Sequence, residues 1–574
     1  MKLISLLVTY SLAAALLTAQ VVGGGGRGGP GMRLPGMDLP PVPTGPPKKP
    51  GTVEGVVSNS VTHAPVKKAT VNLRNLRGQY SYVATTDAAG HFLFDSVEPD
   101  AAYMLTAACP GFSFQMPSGR SMFSLQPLAV AEEQHVTGAA LQLSPLGVIS
   151  GKVLDEDGDP IPSLIVRALQ FDYQQGAKRL AQRGSDTTDD HGEYRIFDLQ
   201  PGHVYIQAVA RPAGPQASGR MHRDRPDEGF PATFYPAAAD VTSATAADVT
   251  PGAEVTGIDF RVHKVRVYRI RGTAVDAQTQ QPVHGAGISA LPCASGSDRW
   301  GYQTSAGLQP DGAFDLRGLI PGPYCLTIQS NQGGKTSFGR QTVSVADQDV
   351  DGVVVAVSPS FALKGVVAAE GPPPESFKNI RVMLSPAEPY GGMYANAGVQ
   401  EDGSFVLENV VPQAYDLQLS SPPAEGYYLK SIRLGDQDVS AGRIDAIAGA
   451  TLTLTLASDS GQVAVSVRSA SGDPAARIPV IAIPEGDFAA RRDMFRTGFT
   501  DPNGNATISG LPPGDYQVLA LENFGDMNFI QSPDFRKLFA HQGASLTVHA
   551  NGRDTVSVKL ITTEEIEQAK SKLP

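Results

Sequence analysis

One stretch, Asp501 to Tyr516 (DPNGNATISGLPPGDY), recurs in altered form four more times and constrains the fold more than any other feature. In every copy a glycine precedes a proline by nine residues: Gly90 and Pro99, Gly192 and Pro201, Gly312 and Pro321, Gly403 and Pro412, Gly504 and Pro513. A tyrosine follows three or four residues later, at Tyr103, Tyr205, Tyr324, Tyr415 and Tyr516. Self-similarity at a fixed spacing selects a repeat architecture. The glycines lie 102, 120, 91 and 101 residues apart. That is the size of one small β-sandwich, large enough to close its own core, and too large for a solenoid repeat.

Within each copy two apolar residues alternate after the glycine: Phe92 and Phe94, Tyr194 and Ile196, Phe314 and Leu316, Phe405 and Leu407, Ala506 and Ile508. Period two marks a strand with one face toward a core. The glycine sits in turn composition (DAAG, DPNG) and suits a position with positive φ. A second turn follows at the proline, and the tyrosine opens another alternating strand, as in Tyr415, Leu417 and Leu419. This pattern predicts a β-hairpin with one buried side.

In chain order, residues 1–19 read as a signal peptide: Lys2, then an apolar run to Leu17, with Ala19 as a small residue for cleavage. An uncleaved anchor is the alternative, and no later run is long and apolar enough to span a bilayer. Residues 20–50 are rich in glycine and proline and read as a disordered tether. Five β-sandwich modules follow at 51–145, 146–264, 265–359, 360–459 and 460–562, then a tail (563–574) able to form a turn or two of helix. In the second module Phe234, Tyr235 and Pro236 are expected to pack on the module edge. A net charge of −11, with charged residues at 18%, argues against a nucleic-acid partner.

Signals for catalysis or metal binding are missing. None of the ten histidines stands in H-x-x-E or H-E-x-x-H, and there is no G-x-S-x-G and no P-loop. Asp155, Asp157 and Asp159 superficially match a calcium loop, but Gly158 stands fourth rather than sixth. A solvated turn is the expectation there and at Asp501, Asn503 and Asn505. His91 and His191 fall in the first turn, where solvent exposure accounts for them. Cys293 and Cys325 are open between a disulfide, which suits an oxidising compartment, and two free thiols, because Cys325 faces away from Tyr324, Leu326 and Ile328. Cys109 is then left over.

A G-x-V near the start of a module, a proline about ten residues on, then D-x-x-G-x-F-x-L-x-x-L-x-P-G-x-Y resembles the carboxypeptidase regulatory-like domain. The likeness runs over about residues 51–562. Stretches such as SIRLGDQDV (431–439) and EVTGIDF (254–260) look like those of secreted bacterial proteins of the acidobacterial type built from tandem copies. The resemblance implies an all-β chain of about five transthyretin-like (prealbumin-type, Cna B-like) Greek-key sandwiches, with no catalytic domain, catalytic residue, cofactor or metal. Gln309 and Gln400 in place of the turn aspartate, Ala506 in place of an aromatic residue, and the missing opening glycine of the fifth module depart from the pattern. No lysine–asparagine cross-link of the Cna type is expected.

The leading functional reading is a non-enzymatic, secreted or cell-surface binding protein, with carbohydrate as the favoured ligand class. It rests on the likeness to starch-binding sandwiches and on Trp300, Tyr302, Tyr390 and Tyr394 as rings for stacking on sugars; packing within the modules is their other role. A structural spacer or adhesion stalk with protein partners in the envelope is the second reading. An accessory to a carboxypeptidase or to an outer-membrane transport system, and an enzyme with an unrecognised site, stand behind these two.

Overall fold

The computed structural model describes residues 49–571 except 77, 79, 116–126, 175, 211–227, 294–302, 333–334, 388–392, 420–425, 490 and 523–526. The signal-peptide and most of the tether expectation therefore lie outside the described residues. The chain forms two compact units, one ending near 144 and one from 145 onward. Nearly all described secondary structure is β.

Five hydrophobic clusters recur along the chain, centred on Val53–Leu143, Ile149–Val262, Tyr268–Val357, Leu363–Leu456 and Val463–Val558. We number the modules 1 to 5 after them. All five share one topology. An opening strand (Gly51–Asn59, Gly147–Leu154, Tyr268–Asp276, Phe361–Glu370 or Gly461–Arg468) lies antiparallel to the strand that carries the alternating apolar pair. On its other side it runs parallel to the strand or strands that close the module. In a second layer the tyrosine strand and a short edge strand flank a strand such as Thr70–Asn75 or Arg381–Pro386. Modules 1, 2 and 4 keep the layers as separate sheets. In modules 3 and 5 extra pairings join them into a single seven-stranded sheet around one core.

This topology corrects the hairpin expectation. The strand before the proline and the tyrosine strand after it do not pair; they belong to opposite layers, as His91–Val97 and Asp100–Ala108 do. The repeated proline turn is a corner that carries the chain from one layer to the other. Both strands still bury one side, which is why their alternation looks like that of a hairpin. The corner is closed by the tyrosine. Tyr103, Tyr324 and Tyr516 donate their hydroxyls to the carbonyls of Glu98, Ile320 and Pro512 at 2.7, 3.1 and 3.0 Å. Tyr415 accepts the N–H of Val411 at 3.2 Å. Tyr205 is the exception: Val204 takes the core position, and Tyr205 packs outside it, edge-on to Phe171 at 5.4 Å.

The five turn glycines have φ between +71° and +81°, a region that costs nothing for glycine and strains other residues. A Cβ on any of them would come within 2.4–2.7 Å of the opening-strand carbonyl of Val57, Val153, Ala274, Val367 or Val467. Each glycine carbonyl in turn accepts the N–H of that same opening-strand residue. The spacing of the repeat therefore reflects a turn locked onto the centre of its sheet.

Module 5 carries additions. Both faces of Pro479–Pro484 and most of Gly514–Leu521 are buried, because helices Met527–Ile530, Pro533–Phe539 and Thr563–Ser571 cover the outer face. The last of these is the helix expected in the tail.

Candidate functional site

The turn carboxylates are engaged by their own turns. Asp87 Oδ1 accepts the N–H groups of Ala89 and His91 at 2.9 and 2.8 Å, and Asp189 those of His191 and Glu193 at 2.9 and 2.8 Å. Asp501 does the same with Asn503 and Asn505, both at 2.9 Å. Asp155 accepts from Asp157 and Asp159 at 3.1 and 2.9 Å, which is a side-chain-capped turn. In copies three and four, where Gln309 and Gln400 replace the aspartate, the carboxylate has moved two residues on. Asp311 takes the N–H of Ala313 at 3.1 Å and Asp402 that of Ser404 at 2.9 Å. The Ser404 hydroxyl also donates to Asp402 and, with its N–H, holds that carboxyl below the usual range.

Among the described residues no group of three or more His, Cys, Asp or Glu is arranged to hold a metal ion. One group of titratable side chains is on the outer face of module 1. There His91 and His135 approach the two oxygens of Glu54 at 3.6 and 3.4 Å, and all three are partly exposed. None of the described lysines is buried.

Of the four candidate aromatic residues, Trp300, Tyr302 and Tyr390 lie outside the described residues. Tyr394 is 67% exposed, immediately before the edge strand Ala395–Gly398. In module 2 Phe234 is buried, and Tyr235 packs against the core with its ring 6.5 Å from that of Phe260.

Cys293 and Cys325 are joined as a disulfide with a Cα–Cα distance of 4.9 Å. Cys325 faces away from Tyr324, Leu326 and Ile328, and the bond lies on that outer side. Leu291 stands opposite Cys325 in the register, and Cys293, two residues on, shares its face. The Arg340 guanidinium lies 3.3 Å from Cys325 Sγ. Cys109 is free and partly buried.

Within the second unit side chains from different modules meet, and sequence reasoning missed these seams. Phe338 of module 3 packs against the core of module 4, and the Ser360 N–H donates to the Thr336 carbonyl at 2.8 Å. Between modules 4 and 5, Tyr428, Ala457 and Met494 form one apolar cluster. Beside it the Arg491 side chain, 1% exposed, grips Asp493 through Nε and Nη2 at 3.1 and 2.5 Å and donates to the Ser440 carbonyl at 3.4 Å. Burial pushes the neighbouring Arg492 and Arg496 guanidiniums below the usual arginine range. Module 2 meets module 5 as well: the Tyr173 ring lies 4.7 Å from that of Phe529. These are packing chemistries. The helix of the last seam carries a local signal, since Ser532-Pro533-Asp534 is a helix start with an N-cap serine and proline behind it, but nothing in it points to module 2.

Residues 52–122 match the family model of the carboxypeptidase regulatory-like domain. Module 1 is similar to that domain. The other modules repeat its turn, corner and strand order. Three pilins are among the similar solved structures. A streptococcal ancillary pilin is 13% identical, covering 54% of this chain and 99% of its own, with a TM-score of 0.19. The minor pilin GBS52 of Streptococcus agalactiae is 12% identical, covering 38% and 96%, with a TM-score of 0.21. The major pilin subunit of Bacillus cereus is 11% identical, covering 54% and 99%, with a TM-score of 0.16. Likeness at that level leaves the fold to be argued from the sheets themselves. No curated protein matches the chain.

Proposed function

We propose that the chain is a non-catalytic scaffold outside the cytoplasm, whose modules present surfaces to other macromolecules. The observation that carries this reading is what the repeated residues do. In all five copies the turn glycine and the alternating apolar pair serve the fold, and four of the five tyrosines close the corner. The repeat therefore encodes architecture, and any recognition belongs to residues that differ between modules. The disulfide supports an oxidising compartment. A reporter enzyme active only after export, fused to the chain, tests the location; a full-length fusion that accumulates with its reporter inactive would overturn it.

The second reading is carbohydrate binding, and the exposed ring of Tyr394 favours it. Depletion of the full chain by a panel of insoluble polysaccharides separates the two. The scaffold reading expects no retention. Retention that Tyr394→Ala abolishes would establish the glycan reading in its place.

A further inference from the structure

The contact between modules 2 and 5 differs from the seams between consecutive modules, because it joins segments about 350 residues apart in sequence. Strands Ile165–Gln174 and Ala177–Thr187 of module 2 form a long ribbon. Its tip is seated on the helices Met527–Ile530 and Pro533–Phe539 of module 5. Gly176 at the tip has φ +73°, and a Cβ there would lie 2.7 Å from the Gln531 carbonyl oxygen and 3.1 Å from its carbon. Only a residue without a side chain allows so close an approach. Tyr173 packs its ring on Phe529, partly buried against the helix-layer cluster.

Three features separate this contact from the cores on either side of it. The core of module 2 does not include Tyr173, and the helix layer of module 5 holds nine buried residues besides Phe529, so each side keeps a core when the two part. The Tyr173 hydroxyl is buried with no hydrogen-bond partner among the described residues, which makes the closed contact costlier than a satisfied one. The rim is polar: Lys178, also stacked over Phe171, faces the charge of Asp534.

We infer that the ribbon tip and the helix pair form a releasable clasp, so that modules 2 and 5 separate and rejoin while both stay folded. This inference does not depend on the proposed function. Opening uncovers the apolar side of the helix pair around Phe529, a surface the closed chain hides.

The test uses the full chain with Cys109→Ser, keeping the disulfide, and spin labels at two exposed positions, Ser185→Cys and His541→Cys. Double electron–electron resonance then reads the module 2 to module 5 distance. The closed clasp gives one narrow distribution. Gly176→Arg, which forces the tip off the Gln531 carbonyl, and Tyr173→Ala, a milder change, both shift it outward and broaden it. Thermal unfolding followed by circular dichroism stays that of the parent. An unchanged distribution in both variants overturns the inference, because the contact then does not hold the modules together. Loss of folded structure in both variants overturns it equally, because the contact is then part of a core.

Discussion

At the scale of single residues, the most informative positions are the two at which module 5 breaks the repeat. In modules 1 to 4 a glycine on the opening strand stands directly opposite an aromatic residue: Gly55 and Phe92, Gly151 and Tyr194, Gly272 and Phe314, Gly365 and Phe405. A Cβ at Gly365 would lie 2.1 Å from the Phe405 ring, so the ring occupies the volume that a side chain would need. In module 5 the opposed pair is Val465 and Ala506, both buried. Missing glycine and missing aromatic ring are thus one compensated exchange of volume, which close-packed cores tolerate better than either change alone. Val465→Gly should destabilise module 5 by about 2–4 kcal/mol, from lost burial and a glycine placed in a strand. Adding Ala506→Phe should recover about 1–2 kcal/mol of that, the size typical of coupled neighbours. Hydrogen exchange in Gly461–Arg468 reads both changes, and strictly additive effects would refute the compensation.

At the scale of elements, the corner is the unit. Tyr516→Phe removes the hydroxyl that satisfies the Pro512 carbonyl inside the protein, and should cost about 1–3 kcal/mol. Tyr205→Phe, outside the core of its module, should stay within about 0.5 kcal/mol. Denaturant unfolding distinguishes them, and equal losses would remove the tyrosine from its role in the corner. Burial pushes the hydroxyls of Tyr103, Tyr194, Tyr428 and Tyr516 above the usual phenol range. Raised folded values mean that stability is complete below about pH 10, where unfolded tyrosine titrates, and falls as pH rises toward the folded values. An alkaline titration of unfolding should therefore show a loss beginning near pH 10, steeper in the parent than in Tyr516→Phe. The strands and turns were legible because period two and positive-φ glycine are local properties. The pairing was not: alternation says that a strand buries one side, and is silent on which layer it joins, so a corner read as a hairpin. Tyr205 was misplaced for a related reason: one extra residue after the proline exchanges the two faces of a strand, and Tyr103, with the same spacing, keeps the core face because the register of its strand slips between Asp100 and Tyr103.

At the scale of the whole molecule, five sandwich cores and the seams between them account for the chain. The Cys293–Cys325 bond closes a loop of 32 residues, for which loss typically costs about 3–4 kcal/mol. Cys325→Ser should lower the stability of module 3 by that amount and leave the exchange rates of the module 1 core unchanged. Of the candidate site, sequence gave the turn carboxylates their structural role and named an exposed ring at Tyr394. The seams at Arg491, Tyr173 and Gly176 were out of reach, because contact between modules, whether consecutive or distant, leaves no period in the chain. The central claim is that each repeat closes a core of its own. Residues 360–459 expressed alone test it most directly, because their cluster contains twenty-two buried residues from both layers. A dispersed amide spectrum and one cooperative thermal transition are the expected result. A collapsed spectrum with no transition would contradict it.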